Sequence, residues 1–420
     1  MTSAIVNNDE LIVSNPTQAM LSWADKELSY VDKSKQYQLR RMAKNMWQRN
    51  SPLYAQLQAE SKGQLHRVDN GNLIIPATLL TNFVGIYSNV AITDNRKETG
   101  KKVVLPWIKK PYDLRDYQEE AVQLMLTNPR GIINLATGLG KTLLATHFVQ
   151  RYKKRALIVC PSESVAKQFY SQFVKCFGQN KVGFYGGGKK KISDITVGIA
   201  ASITKNIVEF QNAELGTVIF DETHHTPANT FFDISKGLAG VGKIFGLTAT
   251  DYRSDGKDIM ITGGCGPVLI RRDTKWGIDN GWLAQPYFIV REVPTTGKDH
   301  KDDKIKSYKT HVLNDPLMLL QIESDARKMI QAGKKVLILV DEVAHGKLLS
   351  TALNIPFATG TDSKSQEYVD QLNAGKIDGL VGTDGKIGEG SDTQNVDVLI
   401  MANFVASKGP VVQAVGRGLR

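Results

Sequence analysis

GIINLATGLGKT, residues 131–142, decides the architecture: an apolar run, a glycine-bearing turn, then Lys-Thr entering a helical pattern. That order of strand, loop and helix is what a phosphate-binding loop requires, because backbone N–H groups around Gly138 and Gly140 can cradle phosphate while the helix N-terminus adds its positive end. Thr137, Gly138, Leu139 and Gly140 make up the turn, and Leu135 stands where the strict GxxxxGKT pattern has its first glycine. Lys141 is placed to reach the β- and γ-phosphates of a nucleotide, and Thr142 to ligate Mg2+.

Working outward, ALIVCP (156–161), ITVGIA (195–200), TVIFDE (217–222) and KIFGLTAT (243–250) read as further buried strands, each ending in polar residues. Strands that alternate with helical patterns predict a doubly wound parallel sheet, and in such sheets ligands gather at the carboxyl ends of the strands. TVIFDETHH puts Asp221 and Glu222 at one such end, about eighty residues after the loop. This suits a Mg2+-holding Asp followed by a carboxylate that positions or deprotonates water. His224 is read as a polar relay from the γ-phosphate, since no third ligand is spaced to make a metal site with His225. A second series, PYFIVREV (286–293), KKVLILVDE (334–342), IPFATG (355–360), DGLVGTD (378–384) and VDVLIMAN (396–403), predicts a second sheet of the same kind.

The chain has 420 residues, enough for about three domains. Hydrophobic residues are 41% and charged residues 23%, which excludes wholesale disorder and fibrous repeats. No apolar run approaches the eighteen or so residues of a membrane helix, and the first ten residues carry no secretory signature. Three cysteines without ligand spacing, Cys160, Cys176 and Cys265, argue against a disulfide framework or zinc site, and a reducing cytoplasm is the expected compartment. The net charge is +11. Residues 1–111 hold 15 basic and 9 acidic side chains, so a quarter of the chain carries over half of the surplus and becomes a nucleic-acid candidate. In that region RVDNGNLIIP (67–76) predicts a hairpin turned at Asn70-Gly71, and YQLRRMAKNMWQ (37–48) a helix with Arg40, Arg41 and Lys44 on its surface.

ATGLGKT, DETHH, GLTAT and QAVGRGLR, in this order, resemble superfamily 2 helicases of the DExH kind over about residues 112–420. Within that superfamily LRDYQ, GLTATDYRSDG and GNLIIPATLL are similar to patterns of the UvsW and XPB group. The resemblance implies an α/β fold of two tandem RecA-like doubly wound parallel-sheet domains with a small α+β N-terminal domain. The expected boundaries are 1–111 for a DNA-recognition domain, 112–283 for the ATP-binding domain and 284–420 for the second RecA-like domain.

Site residues follow from the same resemblance. LRDYQ matches the adenine-recognition motif, with Gln118 on the base edge and Arg115 stacked on its face. Pro161, Ser162 and Gln168 match a first strand-tracking motif and Ser202 a second, although Ile199 stands where the family usually has Thr. Thr248 and Thr250 would couple the nucleotide site to the DNA track, and Asp251 replaces the Pro that normally follows. In GTDGKIGEGSD (382–392), Thr383 would meet DNA phosphate while Gly390 and Asp392 approach the nucleotide sugar. Gln413 lies in the last motif, where Arg417 and Arg420, three apart on one helix face, would act as arginine fingers.

The implied activity is that of an ATP- and Mg2+-dependent DNA helicase or translocase that remodels or unwinds forked, branched or duplex DNA in replication, recombination or repair. It implies a monomeric motor working beside replication or recombination proteins. Two other readings stay open on the residues: an ATP-switched clamp or loading module without processive unwinding, and an RNA helicase.

Overall fold

The computed structural model describes residues 2–222, 228–249, 258–294, 313, 315–360, 362, 364–383 and 396–402. By its contacts the chain divides into two units, Met1–Leu135 with Gly140–Arg272, and Ala136–Leu139 with Asp273–Arg420.

The first unit opens with β1 (Ser3–Val6), β2 (Glu10–Ser14), β3 (Ser29–Val31), β4 (Lys62–Gln64), β5 (Arg67–Asp69), β6 (Asn72–Pro76) and β7 (Ala91–Asp94). Five of these form a sheet in the order β5-β6-β2-β1-β7, and β3 pairs with β4. The expected hairpin is present: Asn70 (φ 49°) and Gly71 (φ 76°) both take the left-handed backbone that a two-residue turn between β5 and β6 needs. The helix expected over 37–48 runs instead over Lys33–Met42 and breaks before a short turn of helix at Met46–Arg49. Ala4, Val6, Leu11, Val13, Leu73 and Phe83 pack as the core of this sheet, and Met260 from the helix Asp258–Cys265 completes it.

The same unit then supplies β8 (Arg130–Leu135), β9 (Ala156–Cys160), β10 (Val182–Gly186), β11 (Lys189–Lys190), β12 (Ile195–Ile199), β13 (Thr217–Asp221), β14 (Lys243–Thr248) and β15 (Val268–Arg272). They lie in the order β11-β10-β12-β9-β13-β14-β8-β15, parallel except for β11. All five strands read from the sequence are present. Their apolar runs are buried end to end because helices cover both faces of a parallel sheet.

In the second unit β16 (Val336–Val340), β17 (Phe357–Ala358), β18 (Gly379–Thr383) and β19 (Val398–Met401) form a parallel sheet in the order β17-β18-β16-β19. PYFIVREV, expected as its first strand, is not a strand. Tyr287, Phe288, Ile289 and Val290 are exposed, while Arg291 pairs with Asp325 at 3.1 Å. A run that is apolar on both faces needs a ladder partner and two covering layers to become a strand, and none flanks it among the described residues. No helix of the described residues is long and apolar enough to cross a membrane.

Candidate nucleotide site and phosphate-tracking edge

Register places the chemically loaded residues on one edge of the central sheet. Ile199 lies beside Cys160, Asp221 beside Leu247, and Thr248 beside Asn134. Parallel strands β9, β12, β13, β14 and β8 therefore finish together, with Pro161, Ser162, Asp221, Glu222 and Thr248 at or just past their carboxyl ends.

Beyond β8 the chain turns through Ala136–Gly140 into the helix Lys141–Tyr152. Gly138 (φ 91°) and Gly140 (φ 82°) adopt left-handed backbone, and Gly140 caps the helix. A Cβ at Gly140 would lie 2.4 Å from Gln118 Nε2, so glycine is required there on two counts. Gln118 is buried, and its Oε1 accepts a hydrogen bond from Arg115 N at 2.9 Å. Glu119, next along the helix Asp116–Thr127, accepts from Arg151 at 2.5 and 2.8 Å, which pins that helix beside Lys141–Tyr152 and holds the Glu119 carboxyl down at about 2. Arg115 and Gln118 are thus fixed against the start of the helix Lys141–Tyr152.

Lys141 Nζ lies 3.4 Å from Glu222 Oε1 and 3.4 Å from Leu135 O. Asp221 is buried, and its Oδ1 has no hydrogen-bond partner among the described residues. Burial, then the neighbouring Glu222 charge, pushes the Asp221 carboxyl up to about 7 against the pull of Lys141. A buried carboxylate oxygen without a donor is costly unless a cation meets it. This oxygen and the Thr142 hydroxyl, on the helix that follows the phosphate loop, are both hard oxygens of the kind Mg2+ takes. Glu222 itself sits at φ 47°, a backbone conformation that non-glycine residues hold only when the surroundings impose it.

The residues proposed from the sequence to track a strand lie in both units, those of the first unit at or near the same sheet edge. Ser162 caps the helix Glu163–Phe177, accepting from Val165 N at 3.5 Å, and Gln168 lies exposed on that helix. Ser202 lies in the helix Ala200–Lys205, where its carbonyl accepts from Asn206 Nδ2 at 2.8 Å. Thr248 is fully buried at the end of β14, and Thr383 ends β18 in the second unit. His224, Thr250, Asp251, Gly390, Asp392, Gln413, Arg417 and Arg420 lie outside the described residues.

Sequence reasoning missed one feature of this edge, the turn YGGGKKK (185–191) between β10 and β11. Gly186 (φ 140°), Gly187 (φ 55°) and Gly188 (φ 81°) reverse the chain beside Ile199, and Lys190 Nζ donates to Asn206 Oδ1 at 3.2 Å. Asn206 bonds Ser202 in turn, so the lysines add cations beside the second tracking motif. Three glycines followed by three lysines were the available signal.

Residues 111–253 match the family model described as type III restriction enzyme, res subunit. The chain is 29% identical over 281 residues to the DNA 3'-5' translocase XPB2 of Sulfurisphaera tokodaii, covering 66% of this chain and 61% of that protein. It is 24% identical over 331 residues to the ATP-dependent DNA helicase uvsW of Enterobacteria phage T4, covering 72% and 65%. The chain thus spans less than two thirds of the length of these curated relatives. The solved structure of the helicase MrfA bound to DNA matches 77% of this chain and 51% of its own length with a TM-score of 0.55 and 15% identity, a likeness of fold. In sequence the chain resembles the superfamily 2 helicases of the UvsW and XPB group, and its parallel sheets have the RecA-like fold of that superfamily.

Proposed function

We propose that this chain is an ATP-dependent DNA helicase or translocase that remodels or unwinds forked and branched DNA. The observation that carries the reading is the buried, donorless Asp221 Oδ1 beside the Lys141–Glu222 pair, at the end of a strand two places from the phosphate loop's own. A phosphate loop alone serves many nucleotide-binding proteins. An acidic strand end set for a cation, followed by a carboxylate able to take a proton, belongs to hydrolysis.

Lys141 would exchange its Glu222 contact for the β- and γ-phosphate oxygens, which frees Glu222 to orient and deprotonate the attacking water. Thr142 and Asp221 would hold Mg2+, which when bound neutralises charge on the phosphates. Arg115 and Gln118 would take the adenine, and Thr137, Gly138, Leu139 and Gly140 would line the phosphates. Gly390, Asp392, Gln413 and the fingers Arg417 and Arg420 are proposed to complete the site from the second domain, with His224, Thr248 and Thr250 linking it to the track.

Pro161, Ser162, Gln168, Ser202 and Thr383 would grip the sugar-phosphate backbone, with Lys189 and Lys190 adding charge. Such contacts carry position and little base identity, so binding should fall steeply with salt. Residues 1–111 are proposed as the part that distinguishes a branch from plain duplex. The motor is proposed to act as a monomer in the cytoplasm, beside replication or recombination proteins.

ATP turnover measured with single-stranded DNA, duplex, forks, four-way junctions and RNA, alongside strand displacement on forks, tests the proposal. Stimulation greatest on branched DNA together with strand displacement or branch migration supports it. Turnover without any strand movement would make the chain a nucleotide-switched clamp, and stimulation by RNA alone would make it an RNA motor.

A further inference from the structure

From Lys33 to Ala59 the chain carries six cations, Lys33, Lys35, Arg40, Arg41, Lys44 and Arg49, and no acid. Glu60 neutralises Lys35, while Arg40, Arg41, Lys44 and Arg49 make no ion pair among the described residues. On the helix Lys33–Met42, Tyr37, Arg40 and Arg41 share one face at i, i+3 and i+4, and the turn beyond it carries Lys44 at i+7. The opposite face, with Leu39 and Met42 half-buried, is the one turned inward.

Two large rings in this stretch of chain are left in solvent. Tyr37 is 69% exposed and Trp47, in the short helix Met46–Arg49, is 90% exposed. Neither ring meets another ring or a stacked cation among the described residues. Folding therefore gains almost nothing from them, although a tryptophan is among the side chains with most to gain from burial.

We propose that Tyr37 and Trp47 form a stacking platform for unpaired nucleotides, whose phosphates are held by Arg40, Arg41 and Lys44. Every base has a flat face that an aromatic ring can cover, and the unneutralised cations that lie between the two rings in sequence answer the backbone charge. In duplex DNA those faces are already stacked inside the helix, so the platform selects single strands, such as the arms exposed at a fork. A lipid surface fits less well, because membrane-lying helices bring a continuous apolar face and here cations separate the rings. The proposal deepens the DNA reading of residues 1–111 and rests on it, but the binding it describes needs no nucleotide.

The test uses the full chain without ATP, binding labelled oligothymidylate or a blunt duplex of equal length. Trp47→Ala and Tyr37→Ala should each weaken oligothymidylate binding about 10-fold, as loss of one stacked base does, and leave duplex binding nearly unchanged. Trp47→Phe should recover most of the loss, and oligothymidylate should quench the fluorescence of the wild type more than that of Trp47→Phe. Arg40→Gln with Arg41→Gln should make the salt dependence shallower by about two phosphate contacts. Unchanged oligothymidylate affinity overturns the platform, as does an equal loss on both ligands. Failure of every DNA to stimulate ATP turnover in the wild type would instead remove the motor reading, while leaving the binding result to stand.

Discussion

Lys141 Nζ is held 3.4 Å from Glu222 Oε1, so the cation of the phosphate loop already neutralises the acidic strand end that works with it. If Lys141 takes the nucleotide phosphates as proposed, phosphate must compete for that cation and would release Glu222, tying binding and activation of the proposed base to one side chain.

Lys141→Ala should lower ATP hydrolysis at least about 100-fold, since preorganised charge at a transferring phosphate is worth that much. DNA binding in the absence of nucleotide should persist, because the tracking residues lie on other strand ends. Phosphate release and oligonucleotide binding, measured on the same preparation, check both halves. Turnover near wild type would remove Lys141 from the site.

Glu222→Gln should keep nucleotide affinity and slow hydrolysis about 100- to 10,000-fold, the usual range for loss of a general base. The amide keeps the shape of the side chain and suits the same φ of 47° no worse than the acid did. Equal losses of nucleotide affinity and turnover would mark Glu222 as a structural residue.

Asp221 makes a pH prediction whose sign runs against the usual carboxylate. Burial raises its carboxyl from an ordinary value near 3.8 to about 7, so between these values the folded protein holds a proton that the unfolded chain has lost. Stability therefore falls as pH rises through that window, and is lowest above pH 7, where the buried carboxylate is charged. Without Mg2+, Asp221→Asn should stabilise the protein at pH 8 by at least about 1 kcal/mol and remove most of this slope, while abolishing hydrolysis. Melting curves at pH 5 and pH 8 decide it. A variant that melts lower than wild type at pH 8 would show that the carboxylate is not strained.

Strand ends were legible because a buried parallel strand is an apolar run, and its polar terminus stands out against it; Asp221 and Thr248 were found that way. Asn70-Gly71 was legible because few other residue pairs accept two left-handed conformations. The exposed run Tyr287–Val290 was misread for the same reason that the others were read correctly, since hydrophobicity signals a strand only where partners exist to cover it. Long-range docking left no periodic trace at all. Arg130, buried at the start of β8, donates to the carbonyls of Asn8, Gly242, Ala239 and Val241, and nothing in its local sequence announces a partner 122 residues away.

The last prediction concerns where the motor begins. The segment before residue 112 is bonded to the central sheet's unit throughout: Lys101 N donates to Glu214 O at 2.9 Å, Val103 N to Lys153 O at 3.0 Å and Ile108 N to Cys176 O at 2.8 Å. Thr99 Oγ1 accepts from Gly242 N at 2.6 Å, and Lys154 pairs with Glu98 at 3.0 Å. Trp107 stacks on Phe177 with centroids 4.9 Å apart. A chain starting at Tyr112 loses all of these, whereas one starting at Lys97 keeps them, and both lose the N-terminal sheet that covers Met260. Loss of the half-buried Trp107 packing costs about 3 kcal/mol and the lost hydrogen bonds add to it, together roughly 10 °C in a domain of this size. The shorter chain should therefore melt at least about 10 °C below the longer one, with the difference showing in thermal unfolding before any assay of activity. If the two melt together, residues 97–111 are a passive connector and the motor begins at 112.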